Sequence, residues 1–229
     1  MALLLNIDTS TDTCSTALTA DGCILTHFED FKYHNHAALL SGMIKGCLDY
    51  VKEHDLKLDA IAVVTGPGSY TGLRIGLSEA KGLAYSLGVP MIGVNTLEMM
   101  AVKVMFEADI CGTELFAPMI DARRMEVYTA VYDMSLNELL PPRPLVIEPD
   151  SYSEFLERGK VLFFGNGSGK TREILTSSNA VYIDDIMPTA ADMVALSERA
   201  YARKEFIDTA YSTPMYLKEF QATKPKKLF

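Results

Sequence analysis

Apolar and polar positions along the chain fall into blocks that occur twice. Residues 3–8 (LLLNID) form a short apolar run ending on a carboxylate, and the polar stretch DTSTDT at 8–13 follows at once. Residues 14–20 alternate, Asp21-Gly22 supplies a turn, and an extended stretch continues through Phe28. Runs of this length between turn residues predict three antiparallel strands. After Asn35, placed as an N-cap, Ala37, Leu40, Ile44, Cys47, Leu48 and Val51 recur at helical spacing and define one apolar face ending near His54. Residues 60–64 then read as a buried strand and 70–87 as a helix stopped by Gly88 and Pro90. A strand over 91–94 and a second apolar helix over 96–106 come next.

The pattern restarts after Cys111-Gly112. Residues 115–120 are apolar, DARR at 121–124 is a polar turn, and 125–132 alternate, repeating the opening unit of strand, Asp-bearing turn and strand. A proline-rich stretch, PPRP at 141–144, precedes a short helix from Ser151, a strand over 161–164, a glycine loop, and helices near 168–176 and 189–203. An α/β protein of two lobes, 1–110 and 111–229, is the organisation this predicts, each lobe opening with a hairpin whose turn carries Asp8 or Asp121.

Composition narrows the function classes. A formal net charge of −9 argues against an autonomous nucleic-acid binder, which needs clustered Lys and Arg to neutralise phosphates. The one basic concentration, Lys218, Lys224, Lys226 and Lys227 against Glu219, is open to two readings, a solvated tail or an RNA contact. Four cysteines lack C-x-x-C spacing and suit free thiols in a reducing cytosol. The N-terminus has no basic flank or cleavage pattern, and no run approaches a membrane span of about 18 apolar residues, so a cytoplasmic protein without membrane contact is expected.

Candidate chemistry is sparse. GNGSGKT at 165–171 looks like a phosphate loop, but the G-x-x-x-x-G-K-[ST] spacing puts Phe164 where the first glycine must be. The turn from Asp8 through Thr9 and Ser10 to Thr13 suits phosphate or Mg²⁺, but these residues by themselves favour a turn satisfied by its own side chains. His34 and His36, two residues apart, share a strand face but not a helix face, and the only other histidines are His27 and His54, so no metal site is expected. No H-E-x-x-H, G-x-S-x-G or Ser/His/Asp constellation occurs. The stretch 65–90, TGPGSYTGLRIGLSEAKGLAYSLGVP, carries Gly72, Gly76, Ala80, Ala84 and Gly88 at four-residue intervals. Glycines in a helix cost roughly 1 kcal/mol each relative to Ala, so the smooth stripe implies close contact, either within the fold or against a second chain.

The stretch from Thr65 to Val94, together with LLNIDTST at the start, MIDARRMEVYTAVYD at 119–133 and TPMYLKEF at 213–220, resembles the TsaB (YeaZ) family over nearly the whole chain. The resemblance implies the two-lobed actin-like, Hsp70 and sugar-kinase (ASKHA) fold. It also implies a non-catalytic subunit that dimerises with a TsaD-like catalytic subunit, alongside a TsaE-like ATPase, in transferring threonylcarbamoyl to adenosine 37 of tRNA. The paralogue's H-x-x-x-H metal pair falls at Thr96 and Met100 here, so no metal and no catalytic residue are expected. The family places the partner interface on the helices at 36–54 and 70–87, which nominates Leu40, Ile44, Gly72, Leu73, Gly76, Leu77, Ala80 and Ala84, with a homodimer when the partner is absent and tRNA reached only through the complex. Asp8, Thr9, Ser10, Asp121, Gly165 and Gly167 are the expected remnant of a nucleotide cleft, with ATP or ADP bound only in the complex. The competing readings are an ATP-dependent small-molecule kinase and a regulatory nucleotide binder of the same superfold.

Overall fold

A computed structural model describes residues 2–32, 35–108 and 110–218. The first unit runs β1 (Leu3–Asp8), β2 (Cys14–Ala20), β3 (Cys23–Asp30), α1 (His36–Glu53), β4 (Ala60–Gly66), α2 (Tyr70–Leu87), β5 (Met91–Asn95) and α3 (Thr96–Glu107). The second runs β6 (Leu115–Asp121), β7 (Glu126–Tyr132), β8 (Glu138–Val146), α4 (Ser153–Leu156), β9 (Val161–Phe164) and β10 (Ala180–Ile183), closing with α5 (Val194–Arg203). Each unit builds a five-stranded sheet, in the orders β3-β2-β1-β4-β5 and β8-β7-β6-β9-β10. In both, the hairpin strands pair antiparallel and the later strands parallel. The second sheet is thus the first one repeated, the duplicated α/β architecture of the actin-like fold.

Burial explains the apolar runs. Every residue of β1 is buried, because helices cover both faces of the sheet. Successive side chains point to opposite faces. Leu3, Leu5 and Ile7 pack with Leu40, Ile44 and Cys47 of α1 and Leu77, Ala80 and Ala84 of α2, while Leu4 faces Met99 and Val102 of α3 and Met193, Leu196 and Ala200. Helix α3 serves both sheets, since its Leu97, Met100, Ala101 and Val104 pack on Phe116, Ile120 and Phe164 of the second. The chain then returns to the first sheet through a 3-10 turn, Ala190–Met193, and α5, which contact β1, β2 and β5. Thr189 and Asp192 form a capping box at that return.

Several expected elements differ. PPRP lies inside β8, an edge strand, where proline removes no ladder bond that the sheet needs. The short strand β10 is the other edge, and its weak half-buried pattern carries little sequence signal. The helix expected near 168–176 is only a 3-10 turn, Gly169–Thr171. Asn35 precedes α1 but makes no side-chain capping bond. Among the described residues no helix is long and apolar enough to cross a membrane.

Candidate functional site

The turn after β1 and the end of β6 both border a cleft between the lobes, of about 550 Å³. Its walls are the turn at Ser10, Thr11 and Asp12, the start of α2 at Gly68 to Thr71, the β6–β7 turn from Asp121 to Arg123, Asn166, and the segment Met215 to Lys218. Asp8 and Thr9 are not on that surface. The Asp8 carboxylate is fully buried, accepts from Ser10 N through Oδ1 at 2.8 Å, and leaves Oδ2 without a partner. Burial pushes its pKa up to about 6, against the bond from Ser10 and with a smaller push from Asp192. The Thr9 hydroxyl donates to Gly72 O at 2.8 Å, and Ser69 N donates to Ser10 O at 2.7 Å. The turn therefore grips the start of α2. Ser10 reaches the cleft floor, yet its hydroxyl is buried without a partner.

On the opposite wall, the GNGSGKT loop serves the fold. Lys170 Nζ donates to the Asp121 carboxylate, to Arg124 O at 2.7 Å and to Glu126 O at 2.7 Å. All three of its donors are engaged in holding the β6–β7 turn. Asn166 Oδ1 accepts from Asp121 N at 2.9 Å, and Gly167 N donates to Met119 O at 3.0 Å. Gly165 has φ +95°, and a Cβ there would lie 2.3 Å from Met100 Cε and 2.5 Å from Met119 O. A Cβ on Gly167 would lie 2.9 Å from Asp121 N. These glycines let the loop cross the end of β6 at backbone distance, and neither lines the cleft. Of the six residues expected in a nucleotide cleft, Ser10 and Asp121 reach it, and Asp121 is neutralised by Lys170. The rest serve internal packing.

The segment from Met215 to Lys218, part of the TPMYLKEF motif but not among the expected cleft residues, closes the cleft. Met215 N donates to Thr65 O at 2.7 Å, the Tyr216 and Tyr70 rings lie 5.3 Å apart, and Lys218 Nζ meets Glu126 Oε2 at 2.5 Å. This strap ties the first lobe to the second-lobe hairpin. Lys224, Lys226 and Lys227 lie outside the described residues, as does His34. His36 is buried, with Nε2 3.2 Å from Thr13 O. Among the described residues no three His, Cys, Asp or Glu side chains cluster as a metal would require.

The second candidate surface is a groove of about 810 Å³ along α1 and α2, lined by Ala37, Tyr70, Arg74, Ile75, Gly82 and Leu83 among others. It corrects the expected contact residues. Leu40, Ile44, Gly72, Leu73, Gly76, Leu77, Ala80 and Ala84 are all buried inside the chain. A Cβ on Gly72 would lie 2.1 Å from Thr9 O, and one on Gly76 2.3 Å from Thr9 Oγ1. The smooth stripe therefore fits the protein's own turn, and the helix's other side faces outward. Gly82, on that other side, has nothing within 4 Å of its Cβ position. Helical periodicity marks the stripe but cannot say which of two apolar faces is covered from within.

The family model described as TsaD, tRNA N6-adenosine threonylcarbamoyltransferase, matches residues 31–224. The chain is 31% identical over 227 residues to the Escherichia coli tRNA threonylcarbamoyladenosine biosynthesis protein TsaB, covering 96% of each chain. It is 32% identical to the Bacillus subtilis protein of the same name, over 81% of this chain and 77% of that one. A crystal structure from Pseudomonas aeruginosa, described as an uncharacterized protein with similarity to peptidase YEAZ, superposes with a TM-score of 0.82 at 30% identity, covering 95% of this chain and 100% of that one. With the duplicated sheets and the two surfaces in place, these likenesses put the chain in the TsaB (YeaZ) family of tRNA threonylcarbamoyladenosine biosynthesis proteins.

Proposed function

We propose that the protein is a non-catalytic subunit that pairs with a TsaD-like catalytic subunit in making threonylcarbamoyladenosine on tRNA. The α1–α2 groove carries this reading. It is a mixed polar and apolar surface along the 18-residue α2 beside the start of α1, and Gly82 in its lining has open space at its Cβ position that leaves room for a close-packed helix. Thr96 and Met100, the positions of the catalytic paralogue's metal pair, add support: both are buried, and Met100 packs in the second-lobe core. The same groove would hold a second copy of the chain when the partner is absent. A TsaE-like ATPase, tRNA reached through the assembly, and a cytoplasmic setting follow from the same reading.

The test is Gly82→Leu. The substitution removes a helical glycine, which favours the isolated fold by about 1 kcal/mol, while filling the groove. Capture of a TsaD-like protein should fall at least about tenfold, equivalent to about 1.4 kcal/mol, with an unchanged or raised melting temperature. Undiminished capture would reject the groove as the interface. Gly76→Leu and Ala80→Leu cannot serve, since both would disrupt the chain's own core.

A further inference from the structure

The β6–β7 turn has an uncompensated charge. Its four ionisable side chains are Asp121, Arg123, Arg124 and Glu126. Lys170 pairs with Asp121 and Lys218 with Glu126, so both acids are neutralised from outside the turn. Neither guanidinium has a hydrogen-bond or ionic partner among the described residues, and both arginines are exposed. Two unpaired cations thus stand together on a chain whose net charge is −9.

Their backbone is unusual as well. Arg123 has φ +69° and Arg124 φ +51°, a region that glycine and asparagine enter readily and arginine does not. The turn is nonetheless held firmly. Ala122 N donates to Glu126 O at 3.1 Å, Glu126 N to Arg123 O at 3.2 Å, and Lys170 binds two of its carbonyls. Glycine or asparagine would adopt either conformation at less cost than arginine, so backbone geometry does not account for the arginines.

The neighbourhood selects the ligand class. Arg123 lines the interlobe cleft together with Tyr216, 46% exposed, and Tyr70, 38% exposed. Guanidinium groups beside accessible aromatic rings suit a single-stranded nucleic acid, with phosphates on the arginines and an unstacked base on a ring. Tyr70 already carries the Arg74 guanidinium over its ring and Tyr216 beside it, so the exposed part of Tyr216 is the surface an unstacked base would use, a contact that an acidic peptide would not need. We infer that the Arg123–Arg124 turn, with Tyr216 beside it, is a contact site for the phosphodiester backbone of a single-stranded segment of RNA. This rests on the tRNA-modification reading above and adds a direct contact from this chain, where the resemblance implied none outside the complex.

The full-length chain is titrated with fluorescein-labelled tRNA, alone and bound to its catalytic partner, with inorganic tripolyphosphate and poly-glutamate as comparison ligands. The informative variant is Arg123→Asn/Arg124→Gly, which suits the positive φ values and should melt no lower than the native chain. It should bind tRNA about tenfold more weakly, and the slope of log affinity against log salt should shrink by about 1.4–1.8, the share of two phosphates. Tyr216→Ala should weaken binding with no change in that slope. Equal affinity and slope for native and Asn-Gly proteins overturns the assignment. So does a loss confined to poly-glutamate, which would make the turn a docking point for an acidic protein, or one confined to tripolyphosphate, which would make it a small-anion site. Absence of tRNA binding by the native chain in both settings overturns it too. The pairing itself is decided separately, by capture with Gly82→Leu, and none of these outcomes bears on it.

Discussion

Thr9 determines what two positions of α2 can be. Its carbonyl faces Gly72 and its hydroxyl faces Gly76, and that hydroxyl is committed to Gly72 O. Gly76→Ala should therefore lower stability by about 1–3 kcal/mol through overpacking, despite the helix preference of alanine. Gly82→Ala, with open space around it, should raise stability by up to about 1 kcal/mol. Urea denaturation of the pair gives opposite signs; equal signs would show that propensity, not Thr9, governs the stripe. Asp8 makes a second residue-scale prediction. Its folded pKa of about 6 lies above the ordinary 3.8, so the native state holds the proton more tightly than the unfolded chain. The resulting stabilisation is complete below pH 3.8 and is lost as pH rises through about 6. Asp8→Asn keeps an acceptor for Ser10 N and removes the buried charge. Relative to the native chain it should gain on the order of 2–3 kcal/mol at neutral pH, with little difference near pH ~4. Denaturation midpoints across that range check the sign, and a parallel pair of curves would contradict it.

At the scale of elements, Lys170 and Lys218 decide how the β6–β7 hairpin is held. Lys170 has three acceptors on one turn, and side-chain bonds from a charged group contribute about 1.5–3 kcal/mol. Lys170→Met should raise amide exchange across 121–126 while β1 to β5 keep their protection. Lys218–Glu126 is partly exposed and contributes at most about 1 kcal/mol, but it anchors the strap. Lys218→Glu should raise exchange at Met215 N, and Glu126→Lys in the same chain should restore it. Failure of the double exchange to restore protection would mean that the strap is held by Tyr216 and Thr65 alone. Most elements were legible from local pattern: α2 begins after Ser69, which accepts from Gly72 N, and ends at Gly88 in the left-handed conformation, as its turn residues indicate. Strands β8 and β10 were not. Both are edges, where burial is partial and proline is admissible, so neither alternation nor an apolar run marks them. The repeat could have located them, because β3 and β5 occupy the same places in the first sheet.

On the scale of the whole molecule, the two sheets are not independent. Helix α3 divides its faces between them, and α5 returns from the far end of the chain to cover β1 and β5. The division at 110 therefore separates the sheets in sequence but leaves the first without Met193, Leu196 and Ala200 over its second face. We expect residues 1–110 alone to be unfolded or aggregated, and the intact chain to unfold in one calorimetric transition. A stable 1–110 fragment with native exchange protection would establish the boundary as an autonomous domain. The apparent phosphate loop shows the same dependence on the whole. Its lysine reaches a turn 49 positions away, and without that turn GNGSGKT reads only as a near miss to a nucleotide motif.

The order and type of most elements, the duplication and the family were determined by sequence alone, because periodicity, turn chemistry and caps act over a few residues and four motifs stand in order. Only the tertiary structure decided which face of α2 is buried, where Lys170 points, and which residues border the cleft. Those outcomes rest on contacts such as Thr9 with Gly72, 63 positions apart, whose energy depends on two segments meeting and leaves no trace in either segment's own pattern.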